Sequence, residues 1–325
     1  MNGYPELHAT DHHAAFSLRP LTTGEVIDRT LALFRGHFWL FTGIALGPAL
    51  VSLFFSVSSL ILRHVLHLPM QAGAFSNPKL AILTVISSIV TVAIYGSSQA
   101  ASTFAVSAVY LGNEATVKSS YAESLEHWVR YPLLIMAQLV SAGWVTVVGY
   151  AMLLGVVVGS KKLGMTTNAP VLGLVIIVIL LSFPYSIYRY IKISLAIPGA
   201  VVEGLPIRAS LKRSKALLVD RKGRIFMVFL LMGILYMIVG VALGITLTFA
   251  MRGQIKMIVA QIITILSGFF ASVLLQPVGA IGLCLFYFDE RVRREGFDIE
   301  FMLQSVTAPS SGGETLTPLD HSIEA

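Results

Sequence analysis

Charged residues are scarce in this sequence. Asp, Glu, Lys and Arg make up 12% of its 325 residues, whereas hydrophobic residues make up 55%. Soluble domains carry about 25% charged residues and roughly 45–50% apolar ones. The shortage of charge therefore excludes an ordinary water-soluble enzyme, and the abundance of apolar residues excludes a disordered chain. The mean hydropathy of +0.79 is typical of a membrane protein.

Cysteine is nearly absent too, because Cys284 is the only one in the sequence. A single cysteine cannot form an intramolecular disulfide, so a disulfide-stabilised secreted domain is excluded. The sequence also lacks the motifs of zinc proteases, α/β-hydrolases, P-loop NTPases and dinucleotide-binding folds. We therefore expect no enzyme activity, no cofactor and no metal site.

What the sequence does have is six apolar stretches, each long enough to cross a bilayer. A hydrocarbon core about 30 Å thick needs about 20 helical residues. The stretches cover residues 38–62, 80–111, 131–159, 170–188, 225–251 and 257–288. We expect Pro48 to kink the first span and Pro277 to bend the last. The predicted fold is an all-α polytopic membrane bundle of six transmembrane helices.

The orientation of the spans is predicted by the distribution of Lys and Arg. With both termini in the cytoplasm, the inside segments hold 17 of these residues and the outside turns hold 6. Cytoplasmic loops carry the excess of Lys and Arg in membrane proteins. We therefore expect a multi-pass protein with a basic cytoplasmic face, which agrees with the net charge of +6. Such a face suits anionic lipid headgroups, and no basic soluble domain is present to bind nucleic acid.

The two ends of the chain are predicted to be disordered tails, residues 1–17 and 307–325, on either side of a membrane domain at 18–306. The first apolar run is too long and too late to be the core of a signal peptide. His8, His12 and His13 lie in the N-terminal tail without a cysteine partner. We interpret them as part of a polar tail and not as metal ligands.

Short amphipathic helices are predicted before spans one, three and five, on the cytoplasmic side. Each is indicated by apolar residues at helical spacing, which mark one face. These stripes are Ile27, Leu31 and Phe34; Tyr121, Leu125 and Trp128; and Ile207, Leu211 and Leu218. Thr22 and Glu25 fit a capping box at the start of the first helix. The chain thus has three similar units, each an interfacial helix followed by two spans.

The third short helix is strongly basic. Arg208, Lys212 and Lys215 fall within about 60° of one another on a helix of 3.6 residues per turn. Such a helix is expected to lie in the headgroup plane with its apolar side toward the lipid. Two interpretations stay open. The cations are either a topology anchor or a binding site for a specific anionic headgroup.

Four runs of residues carry a resemblance to a known family. They are 19–29 (RPLTTGEVIDR), 198–204 (PGAVVEG), 209–214 (ASLKRS) and 287–298 (YFDERVRREGFD). The sequence resembles the bacterial six-span proteins known as the membrane domain of glycerophosphoryl diester phosphodiesterases, over about residues 18–306. The resemblance implies a bacterial cytoplasmic (inner) membrane location. The chain lacks the catalytic barrel that some relatives carry, so the resemblance does not imply phosphodiesterase activity.

Polar residues within the spans are costly and call for an explanation. Span two is rich in hydroxyls, which either line a pathway or pack closely against neighbours while bonded to their own helix. Arg189 and Lys192 follow the fourth span and are candidate lipid or solute contacts, either as interfacial anchors or as a buried substrate-binding pair. No Asp or Glu lies in the middle of a predicted span, which disfavours ion-driven transport.

A cytoplasmic ionic network is predicted to tie the short helices to the bundle. The carboxylates and guanidinium groups lie at the ends of spans, where they can pair across elements. Its candidate members are Glu25, Asp28, Arg29, Glu203, Arg213, Asp289, Arg291, Arg294 and Glu295.

The sequence favours a non-enzymatic membrane scaffold or accessory module that contacts anionic lipid or a partner protein, and it allows a homo-oligomer. The alternative is a permease or channel for a small or lipid-like solute, built on the hydroxyls of span two and on Arg189 and Lys192.

Overall fold

The computed structural model describes residues 21–68, 77–110, 112–162, 169–219, 222–253 and 255–296. Across these ranges the secondary structure is helical, without a strand. The predicted disordered tails at 1–17 and 307–325, with the three histidines of the N-terminal tail, lie outside the described residues.

Six long helices form the bundle, and each is long and apolar enough to cross a membrane. In chain order the helices are α1 (Thr23–Gly36), α2 (Phe38–Val65), α3 (Pro78–Tyr110), α4 (Val117–Glu126), α5 (Arg130–Lys162), α6 (Ala169–Ile193), α7 (Ala196–Val202), α8 (Ile207–Leu217), α9 (Lys222–Met251) and α10 (Met257–Glu295). The spans are α2, α3, α5, α6 with its continuation α7, α9 and α10. The predicted all-α bundle of six spans is confirmed.

Short helices α1, α4 and α8 precede α2, α5 and α9, at the predicted places. The capping box at the start of α1 is confirmed. The Thr22 hydroxyl accepts a hydrogen bond from the Glu25 N–H at 3.3 Å, and the Glu25 carboxylate accepts one from the Thr22 N–H at 2.6 Å. These two bonds satisfy backbone donors that a helix start otherwise leaves open.

The buried face of α1 is shifted by one residue from the predicted stripe. Val26, Thr30 and Leu33 are buried, while the predicted Ile27, Leu31 and Phe34 are half-buried. Thr30 fits the buried face because its hydroxyl donates to the carbonyl of Val26 at 2.7 Å and so needs no outside partner.

The predicted stripe of α4 faces the core only at Tyr121, which packs against it. Leu125 and Trp128 are 54% and 64% exposed, whereas Ser120 and Ser124 are buried. Small hydroxyl residues let a short helix approach a span closely and bond to its backbone. The Ser124 hydroxyl does this, because it donates to the carbonyl of Ser97 in α3 at 2.8 Å. Leu125, and Trp128 just after the helix, are left facing outward.

The fourth span does not end at residue 188 as predicted. Helix α6 continues to Ile193, turns at Ser194 and resumes as α7, whose residues Ala196–Val201 are all buried. The sequence shows this segment as an apolar run, but apolarity alone does not distinguish a helix buried on all sides from a membrane stretch.

Helix α10 changes its surroundings along its length. From Gln276 to Val292 nearly every residue is buried, including Tyr287, Phe288 and Asp289. This half is surrounded by the other elements, and its side chains form the main core with residues of α1, α2, α3 and α9. The helix also extends seven residues past the predicted span end at 288. The core therefore lies at the end of the bundle that carries the short helices.

Two glycine sites bring helices into close contact. A Cβ at Gly96 in α3 would lie 2.8 Å from the backbone of Pro132 in α5, and a Cβ at Gly47 in α2 would lie 2.9 Å from the Tyr121 hydroxyl. Glycine is required at Gly96 because the two backbones approach too closely for any side chain. A Cβ at Gly240 or Gly244, which also fit a GxxxG pattern, would meet open space.

The hydroxyls of α3 are largely used within their own helix. Ser87 and Ser88 donate to the carbonyl of Thr84, and Ser107 donates to the carbonyl of Thr103. Ser98 instead donates to the carbonyl of Ile44 in α2 at 3.3 Å. These bonds support the interpretation of span two as a packing surface.

Candidate functional site: a basic helix held by ionic clusters

Helix α8 is attached to the bundle by a serine in its last turn. The buried Ser214 hydroxyl donates to the carbonyl of Lys192 at 3.0 Å and accepts from the N–H of Leu195 at 3.1 Å. The turn between α6 and α7 frees both backbone groups from helical bonds. Ser214 satisfies them, and it thereby fixes α8 against the end of the fourth span.

Arg213 joins α8 to two other elements. Its guanidinium donates to the carboxylate of Glu203, which follows α7, at 2.8 Å and to that of Glu295 in α10 at 2.6 Å. A guanidinium that serves two carboxylates makes the stronger, charge-assisted kind of hydrogen bond. The bonds to Glu295 and Glu203 raise the pKa of Arg213 well above its ordinary value, so it stays charged.

Two further side chains complete this group, which we call the Glu203 cluster (Glu203, Arg213, Tyr287, Arg291 and Glu295). The Tyr287 hydroxyl donates to the Glu203 carboxylate, and Arg291 pairs with Glu295 at 3.2 Å. Arg130 at the start of α5 donates to the carbonyls of Ala200 and Gly204 at the end of α7. The C-terminal end of α7 is thus held from three sides.

A second group, the Asp289 cluster (Asp289, Glu290, Arg224, Arg293 and Arg294), lies deeper. The side chains of Asp289 and Glu290 are fully buried. Arg224 at the start of α9 pairs with Asp289 at 2.9 Å and with Glu290 at 3.1 Å. Arg293 also pairs with Asp289, at 3.1 Å. Buried carboxylates need such partners, because an unpaired buried charge is very costly.

The Asp289 cluster also holds the start of the described chain. Arg224 and Arg293 both donate to the carbonyl of Leu21, and Asp289 accepts from the Leu21 N–H. Arg294 donates to the carbonyl of Ala216 in α8 at 3.1 Å. The cluster therefore connects the segment before α1 with α8, α9 and α10.

The predicted network is split between these two clusters, and not all its members join them. Glu203, Arg213, Arg291 and Glu295 meet in one, and Asp289 and Arg294 meet in the other. Glu25 caps α1, and Arg29 hydrogen-bonds to Tyr110. Asp28 is exposed and has no ion pair with the described residues.

Four cluster members were missed by sequence reasoning: Arg224, Tyr287, Glu290 and Arg293. Arg224 was counted only toward the orientation of the spans. Tyr287, Glu290 and Arg293 lie within 287–298, one of the four runs that carry the family resemblance. Their position in that run was the available indication that they belong to a functional cluster. When a helix is buried on all sides, its sequence alone does not show which of its charged side chains form ion pairs with other helices.

Helix α8 presents its cations on the outside. Arg208, Lys212 and Lys215 are exposed, and their charged groups pair with no carboxylate among the described residues.

The opposite face of α8 carries the buried Ser210, Ser214 and Leu217. Ile207 and Leu211 of the predicted stripe are only half-buried and pack against the core around Tyr131 and Ala196. The result is a basic surface on a helix fixed from behind.

Arg189 and Lys192 lie in the last turns of α6 and have partners within the protein. The Arg189 guanidinium donates to the carbonyl and hydroxyl of Ser141 in α5 at 3.3 and 3.2 Å. The Lys192 ammonium lies 4.2 Å from the centre of the Tyr188 ring, which is a cation–π contact. Both cations therefore help to pack the end of α6.

The described part of the chain holds no group of His, Cys, Asp and Glu side chains arranged to bind a metal ion. The site consists of exposed cations at fixed positions on α8 and of two ionic clusters that hold the buried side of this helix. Comparison of the chain with protein-family models, with curated proteins and with solved structures finds no match.

Proposed function

We propose that the protein is a non-enzymatic membrane scaffold or accessory module whose helix α8 contacts anionic lipid headgroups. The single observation that carries this proposal is the exposed row of Arg208, Lys212 and Lys215, unpaired among the described residues and mounted on a helix held by Ser214 and Arg213. Each basic residue near an anionic membrane surface contributes about 1 kcal/mol of attraction.

The ionic clusters support this role because they make the basic face rigid. A flexible basic segment loses conformational freedom when it binds, whereas a fixed one has already lost it. Arg213 lies between the exposed cations in sequence but points to Glu203 and Glu295 instead of to solvent. Arg213 thus holds α8 in place, whereas Arg208, Lys212 and Lys215 on the exposed face are available to lipid.

The location belongs to the same proposal. We place the protein in a bacterial cytoplasmic membrane with both ends of the chain on the cytoplasmic side. The excess of Lys and Arg at the end that carries α1, α4 and α8 supports this orientation. In this orientation α8 faces the leaflet surface where anionic lipid attracts basic segments.

Native mass spectrometry of the purified protein, titrated with phosphatidylglycerol or with phosphatidylcholine, tests the lipid contact. The decisive variant carries Arg208→Gln, Lys212→Gln and Lys215→Gln together. We expect it to bind phosphatidylglycerol about a hundredfold more weakly, since three attractions of about 1 kcal/mol each are lost. Phosphatidylcholine binding is expected to stay the same.

A control variant with Lys79→Gln, Arg252→Gln and Lys256→Gln removes the same charge from exposed positions at the other end of the spans. We expect it to bind phosphatidylglycerol as the unmodified protein does. Equal losses in both triple variants would mean that net charge, and not the α8 surface, determines lipid binding. Equal binding of the two lipids by the unmodified protein would contradict the proposal altogether.

A further inference from the structure

The interior of the bundle holds a cavity that the lipid-contacting surface does not use. It has a volume of about 310 Å³ and lies between α3, α5, α6, α7, α9 and α10. This volume is at the lower end of the range of about 300–1,000 Å³ found for small-molecule sites. Neither Arg189 nor Lys192 is among its lining residues.

Several of the residues that line the cavity are polar and uncharged, although the cavity lies among membrane-spanning helices. They include Tyr95, Gln99, Gln138, Tyr190, Tyr236 and Gln276, while most of the lining surface is apolar. None of the described residues that line the cavity is Asp, Glu, Lys or Arg. Polar groups in a span are costly unless they bond to a neighbour or to a ligand. Gln99 and Gln276 donate to the hydroxyls of Tyr95 and Ser98, at 2.8 and 3.2 Å. Their arrangement around one space with Tyr190 suits a neutral polar group.

Tyr190 gives this site a specific chemistry. It lines the cavity, and nothing among the described residues hydrogen-bonds to its hydroxyl. Gln138 is already bonded, because its amide N–H₂ donates to the carbonyl of Ile193 at 2.6 Å, where α6 ends. A polar group that is removed from water and left unbonded costs about 1–3 kcal/mol. A ligand hydroxyl that bonds to Tyr190 offsets this cost.

An apolar groove of about 600 Å³ adjoins the cavity between α5, α6 and α9. Cavity and groove share Tyr190, Phe229 and Gly233. The groove is lined almost entirely by apolar residues such as Leu139, Phe183 and Met237. Because these helices are membrane spans, an apolar groove on them suits a hydrocarbon chain.

We propose that the cavity and groove together bind a neutral, hydroxyl-bearing amphiphile with one acyl chain. The hydroxyl-bearing head lies among the tyrosines and glutamines of the cavity, and the chain lies in the groove. An anionic head is disfavoured because none of the described residues that line the cavity is a cation that could compensate its charge. This site is distinct from the α8 surface and goes beyond the lipid contact proposed there.

Gly233 offers a direct test because it lies where the cavity meets the groove. A Cβ added at Gly233 meets nothing within 4 Å, so Gly233→Leu fills space without a backbone clash. Gly240 lies seven residues further along the same helix and also has open space, but it lines neither the cavity nor the groove. Gly240→Leu is therefore the matched control.

The experiment is equilibrium binding of radiolabelled 1-oleoylglycerol to the purified protein in detergent. Methyl oleate, which lacks a hydroxyl donor, and oleate, which is anionic, are the comparison probes. We expect saturable binding of 1-oleoylglycerol that is about fivefold or more tighter than that of either comparison probe. Gly233→Leu should weaken it more than about tenfold, and Gly240→Leu should leave it within about twofold.

A second variant, Tyr190→Phe, tests the site without adding bulk, so that a folding defect in Gly233→Leu does not leave the proposal untested. Among the described residues nothing hydrogen-bonds to the Tyr190 hydroxyl, so Tyr190→Phe removes a ligand contact while the ring packing against Phe229 stays. We expect it to weaken 1-oleoylglycerol binding about threefold to tenfold with an unchanged unfolding temperature. The proposal is overturned by non-saturable binding, by equal affinity for the three probes, or by unchanged binding in both Gly233→Leu and Tyr190→Phe.

Discussion

The carboxylate of Asp289 accepts a hydrogen bond from the backbone N–H of Leu21 at 2.6 Å, across 268 positions of the chain. The same carboxylate pairs with Arg224 and Arg293, which both donate to the carbonyl of Leu21. One buried side chain thus fixes the segment before α1 and pairs with two cations.

Replacing Asp289 by alanine is expected to destabilise the protein by about 3–5 kcal/mol, because it leaves two cations partly uncompensated in a buried cluster. Thermal unfolding in detergent, followed by circular dichroism, measures this change. Asp28→Ala is the control, since Asp28 is exposed and has no ion pair with the described residues. If the two variants unfold at the same temperature, the Asp289 cluster does not stabilise the fold.

The close crossing of α3 and α5 yields a second prediction. Gly96→Ala would place a methyl group 2.8 Å from the backbone of Pro132, so the helices must separate. We expect a loss of about 1–3 kcal/mol, the usual cost of overpacking. Gly155→Ala in α5 meets open space and is expected to leave the unfolding temperature unchanged or slightly raised. Equal behaviour of the two alanines would show that the helices adjust freely.

Arg213 is predicted to control the mobility of α8. Arg213→Ala breaks the links to Glu203 and Glu295, so amide hydrogen exchange in residues 207–217 is expected to become faster. The expected increase is about tenfold or more, for a local loss of more than about 1.4 kcal/mol. Lys215→Ala, on the exposed face of the same helix, should not change the exchange rate. Unchanged exchange in Arg213→Ala would mean that Ser214 and Arg294 hold the helix without it.

The orientation of the spans is tested with single cysteines. In a Cys284→Ala background, Lys212→Cys and Lys256→Cys place thiols at exposed positions at opposite ends of the bundle. A membrane-impermeant maleimide added to intact cells is expected to label the cysteine at position 256 alone, and to label that at 212 after permeabilisation. The reverse pattern would place α8 on the outer surface and contradict the proposed orientation.

The spans could be predicted from the sequence because span length and apolarity are properties of each segment by itself. The same holds for the capping box, where Thr22 and Glu25 lie within one turn. The short helices also begin near the predicted places. Their buried faces could not be predicted from apolar spacing, because α4 packs with Ser120 and Ser124 and leaves Leu125 and Trp128 outside. A pair of serines four residues apart recurs in α8 as Ser210 and Ser214, and this spacing was the signal available.

The internal cavity could not be predicted from the sequence. Gln99, Gln138 and Gln276 were recognisable as polar residues in spans, but their convergence depends on the rotation of α3, α5 and α10 about their axes. Helices that are apolar on most sides give little periodic signal for that rotation. The GxxxG patterns likewise did not show that Gly47 packs against Tyr121 while Gly240 packs against nothing within 4 Å.

Helix α10 is the last described helix, yet its half from Gln276 to Val292 occupies the centre of the core. The earlier spans alone therefore lack the side chains that fill the centre of this core. A chain truncated before Gln276 is expected to insert its first spans, since these are apolar by themselves, but to leave α1, α2, α3 and α9 without their common packing surface. Insertion of the last span is thus expected to be the step that completes the fold.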